Sequence, residues 1–255
     1  MENLQKWLEN QIAGFEGQWA YRIQQGLKGP HIDRNSDLVY PSASMIKVLV
    51  LAVLCDSKLS WEEPLRLDRV PSVNGGGALQ ELRRDREITV REAARLMIVL
   101  SDNLATNLLI WRLDMAKIQQ WADDHGLGDT RLQRFMMDAI TEDRDNYLTV
   151  RDYNQLLWLM YTRRREPRWD EAWQILLRQQ FRDRIPCCWH DTIIFAHKTG
   201  ELDGVVHDGG IYESLTGVYS VIIFTSQLPN NGVAGWQMGK LGIYIRHYLD
   251  NRGKL

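Results

Sequence analysis

Strand-like segments lie only near the two ends of this 255-residue chain, and a long helical region separates them. Residues 18–24, 193–196 and 220–224 carry the β-branched and aromatic side chains typical of strands. Between Leu49 and Phe181 the apolar residues recur mostly at helical spacing. Segments from both ends must pair in one sheet, so the sequence predicts an α+β fold whose chain leaves the sheet, forms a helical region and returns.

This order of elements predicts two lobes that form one functional unit. Residues 1–40 and 192–255 form an α/β lobe, in which helices over Leu4–Phe15 and Trp236–Asn251 flank an antiparallel sheet. Residues 41–191 form a mostly helical lobe. We expect the ligand site in the cleft between the lobes.

Charge and hydropathy argue against two classes of binding partner, nucleic acids and membranes. The formal net charge is −2 and no basic block stands out, so nucleic acid is not a predicted partner. No apolar stretch reaches membrane-spanning length, so no membrane partner is predicted. The amino terminus has no charged leader followed by an apolar core. We therefore expect a cytoplasmic protein, or an exported one if a leader was removed.

Cysteine usage predicts neither a disulfide nor a metal site. Cys187 and Cys188 are adjacent, which is a poor geometry for a mutual disulfide, and Cys55 lies in an apolar run, so reduced thiols are expected. No spacing of Cys and His matches a zinc site, and no cofactor is predicted.

The motif Ser44-Met45-Ile46-Lys47 opens an apolar run that is long enough for a buried helix. Ser44 then lies at a helix start, where unpaired backbone N–H groups favour a serine that becomes an alkoxide and then an acyl ester. Lys47 is one helical turn further on, so its amine can face the Ser44 hydroxyl. Burial in an apolar helix lowers the pKa of a lysine toward that of a usable base. The spacing alone is common, so the motif gains its weight from its partners.

A second motif, Ser101-Asp102-Asn103, stands between two predicted helices. A capping box beginning at Thr89 starts the first helix. Asp102 is predicted to cap the second helix, Leu104–Leu113, which leaves Ser101 and Asn103 on the connecting turn with free side chains. The alternative is that the triplet serves only as a helix cap.

The third motif, Lys198-Thr199-Gly200, follows the strand-like residues 193–196. Small residues on an edge strand let a substrate backbone approach closely, and the lysine and threonine offer donors to a carboxylate. Asp203-Gly204 and Asp208-Gly209-Gly210 have the composition of turns and precede the strand-like residues 220–224. We expect two antiparallel strands joined through these turns.

In this order the three motifs resemble those of the penicillin-recognising serine hydrolases, and most nearly the class A β-lactamase family. The resemblance extends over nearly the whole chain and includes residues 101–109 and 197–212. It implies the DD-peptidase/β-lactamase-like fold, with the active site between an antiparallel sheet flanked by helices and an all-helical lobe. It also implies a serine hydrolase acting on a small-molecule or peptide acyl substrate that is β-lactam-like. We expect a monomer.

The resemblance assigns the catalytic roles. Ser44 is the acylated nucleophile, Lys47 accepts its proton, and Ser101 relays a proton to the leaving nitrogen. The oxyanion hole is formed by the backbone N–H groups of Ser44 and Glu201, the residue after the glycine of the third motif. Such donors lower the barrier by about 3 kcal/mol each in a dry site.

The resemblance also assigns the substrate-binding residues. Asn103 is a hydrogen-bond partner of the substrate amide, Lys198 and Thr199 hold the substrate carboxylate, and Gly200 completes this binding strand.

One loop departs from the class A pattern. That family carries a glutamate directly after an Arg-aromatic pair, and this glutamate activates the water that releases the acyl group. Here Met136 follows the pair Arg134-Phe135, and a thioether cannot accept a proton from water. Arg144-Asp145 matches the far end of the loop. Arg134 and Asp145 are therefore expected to pair across a segment shortened by a few residues.

Several groups are candidates for the missing base. Asp138 is the tentative choice because its neighbours are apolar, whereas Glu142 and Asp143 have the character of solvated charges on a polar loop. Lys47 is the alternative, as the base in both half-reactions.

The missing glutamate leaves three functions open. Weak β-lactam hydrolysis is expected at best. The same acylation apparatus suits a DD-peptidase, amidase or esterase whose acyl group leaves more readily, or a penicillin-binding sensor that stays acylated. Turnover separates these, because a sensor stops after one equivalent.

Two further features adjoin the motifs. By resemblance, the glycine loop Asn74–Ala78 borders the cleft as one wall, and the alternative is an ordinary flexible turn. His197 and His207 flank the third motif and are interpreted as structural or solvated rather than catalytic.

Overall fold

The computed structural model describes residues 1–141, 144–190 and 192–251. The helices are, in chain order, α1 (Glu2–Ile12), α2 (Lys47–Asp56), α3 (Val90–Val99), α4 (Asn103–Leu113), α5 (Met115–Asp124), α6 (Val150–Arg163), α7 (Pro167–Leu176) and α8 (Asn231–Asp250). The strands are β1 (Gln18–Gln25), β2 (His31–Arg34), β3 (Val39–Pro41), β4 (Pro64–Arg66), β5 (Glu87–Thr89), β6 (Tyr147–Thr149), β7 (Phe195–Leu202), β8 (Val205–Ser214) and β9 (Gly217–Ser226). Short 3₁₀ turns lie at Ala43–Ile46, Leu67–Arg69 and Leu79–Glu81.

Five antiparallel strands form one sheet in the order β2-β1-β9-β8-β7. The amino-terminal strand β1 pairs with the carboxyl-terminal strand β9 along its whole length, from Gln18 opposite Ser226 to Gln25 opposite Tyr219. The predicted pairing of strands from both ends is confirmed, as is the α+β fold with an antiparallel sheet flanked by helices. β7 lies at one edge of the sheet, so its outer side is open to the helical part of the chain.

The prediction of turns around Asp208-Gly209-Gly210 is wrong, because these residues lie inside β8. Lys198-Thr199-Gly200 lies within β7, whose partner is β8. The glycines serve close packing rather than a turn. A Cβ built on Gly210 would lie 2.3 Å from the Ala196 carbonyl oxygen of β7, so only glycine fits at this distance.

Helix boundaries differ from the predictions by a few residues. The buried helix after Ser44 begins as the 3₁₀ turn Ala43–Ile46 and continues as α2. α8 starts at Asn231, before the predicted Trp236, because the Asn230 side chain caps it by accepting a hydrogen bond from Val233 N. α1 ends at Ile12. The predicted capping box at Thr89 is confirmed.

The core is divided by the sheet into two apolar clusters. Alternate residues of β9 enter different clusters, since Ile222 and Phe224 pack with the central helices while Val221 and Ile223 pack with α1 and α8. Every residue of α2 from Lys47 to Cys55 is buried. Lys47 is therefore held in an apolar helix with no exposed side. In the described part of the chain, no helix has the length and apolar character needed to cross a membrane.

Candidate active site

A cavity of about 610 Å³ brings the three sequence motifs together. Its lining includes one or more residues from each motif: Ser44, Ser101, Asn103, Thr199 and Gly200. Glu201 also lines it. Lys47 and Lys198 are completely buried, and both contact Ser101.

Three oxygen acceptors surround the Lys47 amine. Nζ donates to the Ser101 carbonyl at 2.6 Å, to Ser101 Oγ at 3.1 Å and to Asn103 Oδ1 at 2.8 Å. These acceptors lie on Ser101 and Asn103 rather than on Ser44. Burial lowers the pKa of Lys47 from 10.5 to about 7, against a smaller opposing effect of the Asp102 charge. A lysine with this pKa can act as a base near neutral pH.

Lys198 approaches the same hydroxyl from the edge strand. Nζ donates to Ser101 Oγ at 3.0 Å and to the Thr199 carbonyl at 2.7 Å. Burial, followed by the nearby charges of Lys47 and Arg184, holds the pKa of Lys198 well below its usual value of 10.5. The Ser101 hydroxyl therefore bridges two buried amines and can pass a proton between them or to a bound group.

The Asp102 carboxylate holds both the start of α4 and the end of the glycine loop. Its Oδ1 accepts a hydrogen bond from Ala105 N at 2.9 Å, which is the predicted cap of α4. Its Oδ2 accepts from Ala78 N at 2.6 Å and Leu79 N at 2.9 Å, so the same carboxylate anchors the end of the glycine loop. Gly75 and Gly76 line the cavity, so the loop forms one of its walls.

The placement of Asn103 on a free turn is wrong. Asn103 is the first residue of α4 and its side chain is engaged on both ends. Oδ1 accepts from Lys47, and Nδ2 donates to the Asn74 carbonyl at 3.2 Å. Because α4 begins one residue earlier than predicted, Asn103 is fixed in the cavity wall. Of the two residues predicted to have free side chains on the turn, only Ser101 lies there, with a left-handed φ of 54°.

The segment that carries Ser44 is held from two sides, by Asn146 and by the edge strand β7. Ser42 N donates to the Asn146 carbonyl at 2.8 Å. A Cβ built on Gly200 would lie 3.2 Å from Ser44 N, so the missing side chain lets the two backbones approach closely. This approach brings Ser44 beside the residue that precedes Glu201.

His207 helps to fix this segment from β8. Its Nε2 lies 2.8 Å from the Pro41 carbonyl oxygen, while Nδ1 lies 3.1 Å from Thr225 N and 2.9 Å from the Val206 carbonyl oxygen. Burial lowers the pKa of His207 to about 4, which keeps the ring neutral. The side chain is buried and bonded to backbone, so it positions the chain before Ser44.

A sequence model of the beta-lactamase enzyme family matches residues 3–248. The chain belongs to the β-lactamase enzyme family. Among curated proteins, none matches it in sequence. The predicted resemblance to the class A β-lactamase-like serine hydrolases is thereby confirmed.

Solved structures agree with this family assignment at the level of the fold. PBP-A superposes with a TM-score of 0.89 at 22% identity, covering 98% of this chain and 97% of PBP-A. A PBP-A mutant in an acyl-enzyme complex with penicillin-G gives the same values. A β-lactamase from Sphaerobacter thermophilus has a TM-score of 0.84 at 24% identity, covering 96% of this chain and 95% of that one.

In this β-lactamase family member Met136 lines the cavity and is buried. Asn107 holds it by the backbone, since Asn107 Oδ1 accepts from Met136 N at 2.7 Å and Asn107 Nδ2 donates to the Met136 carbonyl at 3.1 Å. The expected buried ion pair is present, with Arg134 Nε 2.6 Å from Asp145 Oδ1. These contacts hold Arg134, Met136 and Asp145 in place, and Met136 presents a thioether to the cavity.

The structure does not bring Asp138 into this cavity. Its side chain is 44% exposed, lies 3.9 Å from Arg144, and lines a neighbouring cavity instead. The backbone turns between Met136 and Asp138, since Met137 has a left-handed φ of 67°. Glu142 and Asp143 lie outside the described residues.

Arg184 is a cavity residue that the sequence motifs did not indicate. It is buried, lines the cavity and forms an ion pair with Glu201. The Arg184 charge also contributes to the lowered pKa of Lys198. No spacing signal links Arg184 to the third motif, because the tertiary fold alone brings the two together.

His197 belongs to a buried network behind the third motif. Its Nδ1 lies 2.8 Å from Asp208 Oδ1, and Asp208 Oδ2 accepts from Ile185 N at 3.1 Å. This carboxylate fastens the segment after Arg184 to the sheet. In the described residues, no group of His, Cys, Asp and Glu is arranged to hold a metal ion.

Proposed function

We propose that this protein is a serine hydrolase that is acylated on Ser44 by β-lactams or related acyl donors and releases the acyl group slowly. The observation that carries the proposal is the Ser101 hydroxyl held between two buried lysines, at 3.1 Å from Lys47 and 3.0 Å from Lys198. Buried amines with lowered pKa values supply a base and a proton relay beside a serine that lines the same cavity.

Acylation starts from neutral Lys47. As its lone pair takes the Ser44 proton, Ser44 Oγ bonds to the substrate carbonyl carbon, and the oxyanion accepts hydrogen bonds from Ser44 N and Glu201 N. The bond from carbon to the leaving nitrogen then breaks. Ser101 gives this nitrogen its proton and recovers one from Lys47, so no net proton is gained or lost.

Substrate binding uses the polar wall of the cavity. Asn103 faces the substrate amide, and Thr199 and Lys198 offer hydrogen-bond donors to a carboxylate, with Arg184 beside them. Lys47 and Asn74 already hold the Asn103 side chain, so its amide has a fixed orientation before substrate binds.

Release is the slow half of the cycle. The buried Met136 offers no acceptor for a proton from water, and Asp138 faces a different cavity. Among described residues the carboxylates lining the cavity are Asp183, Glu201 and Asp203. Glu201 is paired with Arg184. We assign Lys47, the proposed base of acylation, as the base for release as well, and we infer weak β-lactam hydrolysis.

Met136 also favours a second candidate function. A peptidase, amidase or esterase whose natural acyl group leaves more readily needs no dedicated water-activating glutamate, and a sensor needs none at all. Penicillin is a suitable probe for either case, because a PBP-A mutant of the same fold forms an acyl-enzyme complex with penicillin-G.

The test follows product release from a chromogenic cephalosporin and a fluorescent penicillin while intact mass is recorded. We expect a burst of one equivalent, a mass adduct on Ser44 and slow release thereafter. Ser44→Ala should abolish the adduct. Ser60→Ala is the matched control and should keep the adduct, since Ser60 is exposed and does not line the cavity.

Each outcome decides between the candidates. Rapid sustained turnover would contradict the slow release inferred from Met136. An adduct in Ser44→Ala would show that the nucleophile is wrong. Failure of both probes to form an adduct with the wild-type protein would exclude β-lactam acylation and leave hydrolysis of another acyl donor.

A further inference from the structure

A second cavity of about 400 Å³ adjoins the active-site cavity. The two share Met137, which lines both. None of the residues assigned to acylation or release lines this second cavity.

Helix α4 forms a floor that runs from one cavity into the other. Asn103 lines the active-site cavity, while Asn107 and Trp111 line the second. These residues are spaced by four along the helix, so they stand on one face. From Asn103 to Trp111 the helix rises about 12 Å at about 1.5 Å per residue. Asn107, between them, is bonded to the Met136 backbone, so the loop that carries Met136 and Met137 crosses this face and separates the two cavities.

The side walls are continuous. On the glycine-loop side, Asn74 lines the second cavity and its neighbour Gly75 lines the first. On the opposite side, Met136 lines the first cavity and Asp138 the second. Both walls therefore pass from one cavity to the other within a few residues of chain.

Met137 is the partition between the cavities. A Cβ built on Gly75 would lie 3.4 Å from Met137 Sδ, so the thioether reaches across to the glycine loop. The Met137 residue is 51% exposed. A methionine side chain has three rotatable bonds and adapts readily to a neighbour, so a ligand can displace it at low cost.

The chemistry of the second cavity favours an apolar group. Val70, Val73, Phe135 and Trp111 supply aliphatic and aromatic surface. The Arg69 guanidinium lies 6.0 Å from the Trp111 ring centroid, so it stands at the edge of an aromatic platform. Burial of an aromatic end group against this surface is favourable, and ring-on-ring contact adds to it.

We propose that the second cavity is the distal part of the acyl-donor site, and that it receives a long acyl arm with an aromatic end from a substrate bound at Ser44. Met137 moves aside to admit the arm, whose end packs on Trp111. The inference rests on the proposed acylation of Ser44 and specifies the substrate class: amides or esters whose acyl side is extended and apolar.

The test compares acylation of Ser44 by three penicillins that share one nucleus and differ only in the acyl arm: acetyl, phenylacetyl and 8-phenyloctanoyl. The readout is the second-order rate constant of adduct formation, by intact mass. Burial of one aromatic end group corresponds to a rate preference of roughly tenfold or more for the long arm over acetyl.

Substitutions test whether the rate preference for the long arm arises in the second cavity. Trp111→Ala should bring the ratio of long-arm to acetyl rates close to one, and Ser72→Trp, which fills the cavity, should do the same. Trp236→Ala is the matched control. Trp236 on α8 is 60% exposed and stacks with Lys240, lies outside both cavities, and should leave the ratio as in wild type. Acylation by the acetyl compound reports that each variant is folded.

Two kinds of failure are distinguishable. If no penicillin forms an adduct, the proposed function fails and the inference fails with it. If acetyl penicillin acylates the protein but arm length has no effect, or the preference survives both cavity variants, only the distal site is refuted. Inhibition of acetyl acylation by free 8-phenyloctanoate without any long-arm preference would identify a separate effector site and overturn the proposal.

Discussion

The burial of Lys47 should make the stability of this protein depend on pH in a way that Lys47→Met removes. The native state holds this amine in a fully buried helix, with its pKa lowered from 10.5 to about 7 by desolvation. The unfolded chain exposes the amine to water, where its pKa returns to the usual value. Folding and proton binding are therefore linked at this residue.

The magnitude follows from the two pKa values. Below pH 7 the amine is charged in both states, and its burial costs about 5 kcal/mol relative to a neutral amine, at about 1.4 kcal/mol per pKa unit. Between pH 7 and 10.5 the unfolded chain holds a proton that the folded protein has lost. The free energy of unfolding thus rises with pH by about 1.4 kcal/mol per unit in this window. Above 10.5 this cost is absent.

Subtracting the free energy of unfolding of Lys47→Met from that of the wild type isolates the effect of the Lys47 charge. Lys47→Met also removes hydrogen bonds to Ser101 and Asn103, at about 1–3 kcal/mol for each acceptor left unpaired, but that cost does not change with pH. Above pH 7 the folded wild type has lost the Lys47 proton, so Lys47 places no charge beside Lys198 over most of the measured range. The free energy of unfolding of the wild type minus that of Lys47→Met should grow by about 3 kcal/mol from about pH 7.5 to 9.5.

The assay is urea unfolding at several pH values and constant ionic strength, followed by circular dichroism. Lys58→Met is the matched control, since Lys58 is exposed and its substitution should give a difference that is flat with pH. A flat difference for Lys47→Met as well would refute the reasoning, because it would mean that the folded protein leaves the Lys47 pKa near 10.5 and that the amine is no base at neutral pH.

Two further predictions concern the reaction. Acylation by a penicillin requires neutral Lys47, so its rate should rise with pH through about 7 and be about a hundredfold lower at pH 5 than on the plateau; a stopped-flow profile that is flat from pH 5 to 8 would exclude this base. Met136→Glu should speed release of the acyl group by tenfold or more without a large change in acylation, roughly within the range for an added general base, because Asn107 holds the backbone of residue 136 beside the cavity. Unchanged release, measured by decay of the mass adduct, would show that the side chain at this position does not reach the ester.

Local features of the site were predictable from the sequence because they depend on short-range geometry. The capping box at Thr89 and the cap at Asp102 are contacts between residues three apart, and both are present. The apolar run after Ser44 predicted a buried helix, which α2 provides. The pairing of strands from the two ends followed from their length and composition, whereas the three-residue strands β3, β4, β5 and β6 between them carried no such signal.

Features set by long-range packing were not predictable in this way. Asp208-Gly209-Gly210 has the composition of a turn, but its glycines are required by the close approach of β7. Asp138 has apolar sequence neighbours, yet the left-handed residue before it turns its carboxylate toward solvent and a different cavity. Arg184 reaches the site only through the fold, so no motif indicated it.

In this site, the groups assigned to acylation and the loop that carries Met136 are held by different contacts. The groups assigned to acylation are fixed by buried contacts among α2, the Ser101 turn and β7, whereas the loop opposite them is held by the Arg134–Asp145 ion pair and by two hydrogen bonds between Asn107 and the backbone of Met136. Since neither hydrogen bond involves the Met136 side chain, that side chain can differ without moving the loop. Release can therefore be slow in a chain whose fold and acylation apparatus are intact, which is why family membership by itself does not establish rapid β-lactam hydrolysis.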